Sequence, residues 1–351
     1  MTVTAPRLQP RRAIWFAAAA AALLLAPFVL TPYPLALLTL ALVYGLFAFG
    51  LDLAWGRAGI ISIGHAAFFG AGAYGWAFAV RYDLPELVGA LAGVLIAAVA
   101  ALIIGLVGLG RRALPSTMAI LTLALTLLFE QIARSWVEVT NGSNGVIVPS
   151  RGLIPDYYTT AVAVLVVVAV VWFTVVRGRW GRRFLAVNAN PDRAAHLGID
   201  VRGTRLTAFV VSAVVAAIAG VLAAPVMGLV APTSGGIMLS TQVLVWLAVG
   251  GRGSIPGAFV GAILITMGQQ YLGAALGSWY LLVLGVIFLL IVRFAPGGLA
   301  GVARRILRVP SHVAAAQDAH LRAPRRRSTP PATPTDGFAI EAAGKIGRAH
   351  V

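Results

Sequence analysis

No cysteine occurs in this sequence of 351 residues, so disulfides and thiolate metal ligation are both excluded. Charge is almost as scarce. Asp, Glu, Lys and Arg make up 11% of the residues, against the roughly 25% usual in a soluble domain. Acidic residues number 11 and lysine occurs once, at Lys345, so the net charge of +16 rests almost wholly on arginine. No cluster of His, Asp and Glu gathers near one end of the apolar blocks, which counts against a membrane enzyme or a metal site. No G-x-x-x-x-G-K-[ST] loop is present, so the chain does not hydrolyse ATP by the usual P-loop route, and no cofactor is expected in it.

What is abundant is apolar. Hydrophobic residues make up 60% of the chain, and the mean hydropathy is +0.91. A bilayer core of about 30 Å takes about 20 apolar residues per helix, and blocks of that length recur from residue 13 to residue 294. Lipid offers no hydrogen bonds to an exposed peptide group, so spans must be helices or a closed barrel. Unbroken runs such as IWFAAAAAALLLAPFVL exclude the alternating pattern of a barrel. The expected fold class is all-α, a polytopic membrane bundle of about 8–10 transmembrane helices.

Spans are expected at about 13–31, 34–52, 58–80, 86–110, 113–134, 159–176, 206–230, 237–250, 256–273 and 278–294. The block at 237–250 is short, so a count of eight or nine with re-entrant pieces is the alternative. The first apolar stretch outruns a secretory h-region and lacks a small-residue cleavage site, which makes it a membrane anchor. The arginines at 7, 11, 12, 111, 112, 177, 179, 182, 183, 193, 202, 205, 304, 305 and 308 fall between the blocks. With the N-terminus inside, all of them are cytoplasmic, which satisfies the positive-inside rule and puts both termini inside. That placement also argues against nucleic acid as the partner of so basic a chain.

Few polar groups enter the spans, and an ionisable one at bilayer depth is expensive enough to suggest function. Asp52, Arg57, Glu130 and Arg134 are such groups. They read equally well as structural pairs. The segment AWGRAGIISIGHAAFFGAGAYG, residues 54–75, carries six glycines and His65. Its small residues suit close helix packing, or a broken helix whose freed backbone lines a cavity. His65 has no ligand-type partner at metal spacing and reads first as a structural histidine.

Two loops add detail. The stretch 136–158 contains NGSNG, turn chemistry for an outer surface loop. The inner loop 177–205 is patterned: Asn190 suits a helix N-cap, Pro191 its first position, Asp192 its positive end, and Gly198 a left-handed close. A short cytoplasmic helix at about 191–197 is expected, placed to touch a partner.

Taken in order, SIGHAAFFGAGAYG, the outer NGSNG, AVNANPDRAAHLGID, AVGGRGSIPGAFVGA and FAPGGLAG resemble the LivM-type permease of branched-chain amino acid ABC importers. The resemblance runs from about residue 35 to 301. The urea-type ABC permease is a close relative, and VWLAVGGRGS looks more like that subfamily. The resemblance implies an alternating-access importer of the bacterial cytoplasmic membrane. Its partners would be a second homologous permease, two ABC ATPase subunits that use the ATP, and an extracytoplasmic substrate-binding protein. Membrane lipid surrounds it, and its cargo is a small molecule. By resemblance, Asn190, Pro191, Asp192, Arg193, Ala194, Ala195 and Gly198 form the helix that couples to the ATPase. Acidic residues common before that helix in the family are Asn188 and Asn190 here. The expected substrate path involves Ser62, Gly64 and His65, with Asp52 and Glu130 facing an amino group. An ion-coupled secondary transporter is the second class, and it would want more intramembrane carboxylates and internal repeats.

The domain reading is therefore a cytoplasmic tail at 1–12, a permease domain at 13–301 with the coupling loop 177–205, and a disordered Pro/Arg-rich linker at 302–337. GFAIEAAG, residues 337–344, resembles the first strand of an ABC ATPase domain at the start of the segment 338–351. Residues 338–351 are expected to be the truncated start of a fused ATPase, with KIGRAHV resembling the read-through of a sequencing adapter.

Overall fold

A computed structural model describes residues 21–110, 116–279 and 297–306, together with single residues between 282 and 293. The expected span at 278–294 and the start of the first one therefore lie largely outside the described residues. The chain divides into two units, Met1–Val309 and Pro310–Val351. The second, with most of the expected linker and the ATPase-like start, lies outside the described residues; so does the tail at 1–12. The helix Gly298–Ile306 continues past the expected domain edge at residue 301.

The described residues contain α1 (21–29), α2 (Pro32–Asp52), α3 (Ala66–Arg81), α4 (Glu86–Gly108), α5 (Thr117–Ser135), α6 (Val137–Thr140), α7 (Leu153–Val171), α8 (Arg179–Ala189), α9 (Pro191–His196), α10 (Val201–Met227), α11 (Ile237–Gly250) and α12 (Ile255–Leu276). Six of these helices, some with π-helical extensions, are long and apolar enough to cross a membrane. The molecule is a multi-pass membrane protein. The sequence expectations and the observed helices agree closely for α2, α4, α5, α10 and α12. They differ at 58–80, which is not one helix, because residues 59–65 leave the helical path before α3 begins. They differ again at α7, which starts at Leu153 inside the expected outer loop, and at α8, which was expected as loop.

The two ends of the bundle have different contents. At one end, Asn188 near the end of α8 donates to the Gly56 carbonyl just beyond α2 (3.1 Å), and Arg202 at the start of α10 donates to the Leu106 carbonyl of α4 (2.9 Å). This end carries α8, α9 and their arginines, and is called the arginine face below. At the other, β1 (Val146–Ile147) pairs antiparallel with β2 (Leu229–Val230), tying the loop after α6 to the exit of α10. The Tyr82 hydroxyl beyond α3 donates to the Glu138 carbonyl there (3.4 Å), and Arg151 pairs with Glu86. This is the strand face.

Running the chain between these faces exposes an internal symmetry. The trio α2, α3, α4 and the trio α10, α11, α12 pass through the bundle in opposite senses, and each trio's second helix is a short one of 16 or 14 residues. The trios interlock, α2 against α12 and α10 against α4. In each, the short helix meets the third through glycines four residues apart. A Cβ on Gly75 would meet the backbone of Gly89 and Gly93, and one on Gly250 would meet the backbone of Gly257 and Gly261. Backbone contact of this kind is how helices associate in lipid, where no hydrophobic force draws apolar faces together. The core runs along α2 and α10, the most buried of the spanning helices.

Candidate functional site

The first interruption begins with a π-helical turn, Leu53–Arg57, at the arginine-face end of α2. A π turn brings residues five apart into register. That explains a pairing that α-helical spacing does not: Arg57 Nε lies 3.5 Å from Oδ2 of the fully buried Asp52. The other carboxylate oxygen accepts from the Gly253 N–H (2.6 Å) in the loop between α11 and α12. Beside it the Arg252 guanidinium lies over the Trp55 ring at 4.8 Å.

Gly59, at φ 72°, then turns the chain out of the helix. Every backbone group so released needs a partner at this depth. The Ile63 N–H donates to Thr122 Oγ1 (3.1 Å), Thr126 Oγ1 donates to the Gly64 carbonyl (2.7 Å), and the Ala66 N–H that opens α3 donates to Ser240 Oγ (3.0 Å). Gly64 is pressed onto α5 so closely that a Cβ there would meet the Thr122 carbonyl.

His65 closes the interruption. It is fully buried, with Ser62 Oγ 3.3 Å from Nδ1 and Ser212 Oγ 3.1 Å from Nε2. A neutral imidazole has one N–H and one lone pair, and hydroxyls both donate and accept, so the three groups satisfy one another in either tautomer. Phe47 of α2 stacks on the ring, with centroids 5.8 Å apart, and Phe68 meets its edge. The histidine thus fastens the break to α10.

The second interruption precedes α11. After β2 the chain makes a 3-10 turn, Pro232–Gly235, and α11 starts at Ile237. Ser240 in its first turn caps α3, so the two short helices meet by their N-termini inside the bundle. The positive ends of two helix dipoles therefore converge on one region.

Of the expected path residues, the structure brings Ser62, Gly64 and His65 together. Asp52 lies apart, five residues or about 7.5 Å further along α2 than Phe47, at the arginine face. Glu130 lies on the other side, one turn beyond Thr126 on the same stripe of α5. It is ion-paired with Arg134 (2.6 Å) and stands beside Gly236 at the start of α11. The order across the bundle is Glu130, then Gly64 and His65, then Asp52. Sequence reasoning missed Thr122, Thr126, Ser212, Ser240, Asn188 and Gly253. The Thr122, Thr126, Glu130 spacing is the one signal that marks a polar stripe on α5.

The expected cytoplasmic helix is present as α9. Asn190 accepts from the Arg193 N–H (2.8 Å), Pro191 occupies the first turn, and Gly198 closes the end at φ 79°. Ala194 is buried, whereas Asp192, Arg193 and Ala195 are exposed.

Residues 33–292 match the family model described as the permease component of branched-chain amino acid transport systems. The chain belongs to that family. The match begins with α2 and includes both interruptions, their hydroxyl partners and α9. Among relatives, the permease is 27% identical over 331 residues to the high-affinity branched-chain amino acid transport system permease protein LivM of Escherichia coli, covering 84% of this chain and 76% of the relative. It is 25% identical over 287 residues to LivH of Salmonella typhimurium, covering 75% and 92%. It is also 30% identical over 144 residues to the fructose import permease protein FrcC of Rhizobium meliloti, covering 38% and 40%. The relatives are thus permeases named for different cargoes.

Proposed function

We propose that this chain is one of two homologous permease subunits of an ATP-driven importer for branched-chain amino acids in a bacterial cytoplasmic membrane. The single observation that carries the reading is the family match over 33–292, within which α3 and α11 meet by their N-termini. The arginine face is cytoplasmic by the positive-inside rule, so both termini are inside. There α9 seats in a partner ATPase. An extracytoplasmic binding protein delivers cargo at the strand face.

The path runs along the first interruption. Glu130 receives the ammonium of an amino acid, the converging helix N-termini attract its carboxylate, and the aromatic wall of Phe47, Phe68 and Phe69 accepts a branched alkyl side chain. Ser62 and His65 are spent on each other and on Ser212 in the described conformation, so passage requires the break to separate from α10. ATP binding at the partner ATPases drives that separation through α9 and the C-terminal end of α8, where Asn188 bonds the Gly56 carbonyl. Nothing in this scheme places a cofactor in the chain itself. Arg252 of the GGRGS loop rests on Trp55 at the arginine face.

Cargo is tested by uptake into proteoliposomes holding the permease pair, the ATPases and the binding protein. Labelled leucine should accumulate and be displaced by excess isoleucine or valine, but not by urea or fructose. Accumulation of urea without leucine would overturn the cargo assignment.

A further inference from the structure

We propose that α8 is a binding site for anionic phospholipid headgroups. This helix was not expected from the sequence, and the transport scheme uses only its C-terminal end. It follows the 24-residue apolar span Leu153–Val176 after two residues. It is seated closely on the end of that span, where a Cβ on Gly181 would meet the Val176 carbonyl. Its position at the edge of the hydrocarbon is thereby fixed. Gly181, Phe184 and Val187 are buried, on a helix that packs against α10 and against the π-helical turn Trp172–Val176 after α7. Arg179, Trp180, Arg182 and Arg183 are exposed.

The exposed group has the composition of a headgroup contact. Arg183 lies over the Trp180 ring at 5.2 Å, which pairs an interface-seeking aromatic with a phosphate-seeking guanidinium. No acidic residue occurs between Asp156 and Asp192, so nothing along this stretch neutralises the arginines. An amphipathic basic helix held at headgroup depth draws anionic lipid, with an increment for each arginine near the surface. An acidic surface on a protein partner would satisfy the same charges. Proximity to the span end and the exposed tryptophan favour lipid.

The test uses the full permease in its importer complex, purified from membranes containing phosphatidylglycerol. Retained lipid is counted by mass spectrometry after exchange into mixed micelles of phosphatidylglycerol and phosphatidylcholine. The triple variant Arg179→Gln, Arg182→Gln, Arg183→Gln should retain phosphatidylglycerol roughly tenfold less, with phosphatidylcholine unchanged and ATPase co-purification unaltered. The triple lysine variant should recover much of the binding and shows that the helix still folds. Unchanged phosphatidylglycerol retention overturns the proposal. So does unchanged retention with loss of the ATPase, which assigns the arginines to a protein partner instead.

Discussion

The interruption before α3 and the interruption before α11 each deliver a short helix into the middle of the bundle, yet they satisfy their freed backbone by different means. The first relies on side chains from elsewhere: Thr122 and Thr126 of α5 and Ser240 of α11, with His65 bridged to Ser212 of α10. The second relies mainly on backbone. Its β2 strand pairs with β1, Ser234 N–H donates to the Ala231 carbonyl (2.9 Å), and Gly236 N–H donates to the Thr233 carbonyl (3.1 Å). An interruption built from remote side chains is tied to the arrangement of every helix that supplies one. An interruption built from local turns can travel with its own segment. The first should therefore be the more sensitive to substitution.

The sharpest way to break the contrast is to load both interruptions with a side chain. Gly64→Val drives a Cβ into the Thr122 carbonyl, where only backbone can yield, and overpacking of several kcal/mol is expected. Detergent-solubilised protein should be largely unfolded or unrecoverable. At the second interruption, a Cβ at Gly236 meets the carboxylate end of Glu130 at 2.5 Å, a flexible group that can swing away. Gly236→Ala should lower thermal stability by about 1 kcal/mol or less.

The next effect comes from the buried carboxylate at the edge of the first interruption. Asp52→Ala removes the acceptor of the Gly253 N–H and the charge facing Arg57, at a cost of about 3–5 kcal/mol for a broken buried pair. Asp52→Asn keeps an oxygen for Gly253 and should cost less. Equal losses in a thermal denaturation series would show that the backbone contact contributes nothing.

Smaller again is His65→Leu. The substitution keeps much of the packing against Phe47 but strips Ser62 and Ser212 of their partner, and about 2 kcal/mol is expected. Transport should fall further than folded protein does, which separately measured uptake and folded yield would resolve. The finest comparison sets two serines side by side. Ser240→Ala should cost about 1 kcal/mol, and Ser234→Ala, whose hydroxyl only accepts at 3.4 Å from the Ala231 N–H, a few tenths.

Much of the bundle was legible because a run such as GVLIAAVAALIIG has only one stable form in lipid. The first interruption was legible only as one of two readings, since its glycines suit either a break or close packing and 58–80 is expected as one continuous span. Its partners were not. Thr122, Ser212 and Ser240 stand 59, 147 and 174 residues from the groups they bond, and a hydroxyl in a membrane helix reads as bonding its own preceding turn. Thr122 does that as well, donating to the Met118 carbonyl (2.8 Å). The inverted trios were hidden because their correspondence lies in backbone path and glycine crossings, with little shared side-chain pattern. Helix α8 was hidden under its arginines; Phe184 and Val187 mark a buried face only once α10 is there to receive it. By contrast, α9 announced itself because capping is local, and Asn190, Pro191 and Gly198 need nothing distant to act.

The inverted trios also make energy coupling the decisive question, since such repeats serve ion-driven transporters as well. Leucine uptake is to be measured in vesicles holding the complete importer, with ATP present and the proton gradient collapsed, and again with the gradient intact and the partner ATPase disabled. Uptake that persists in the first condition and stops in the second is the expected result. Uptake that stops in the first and persists in the second would contradict an ATP-driven permease.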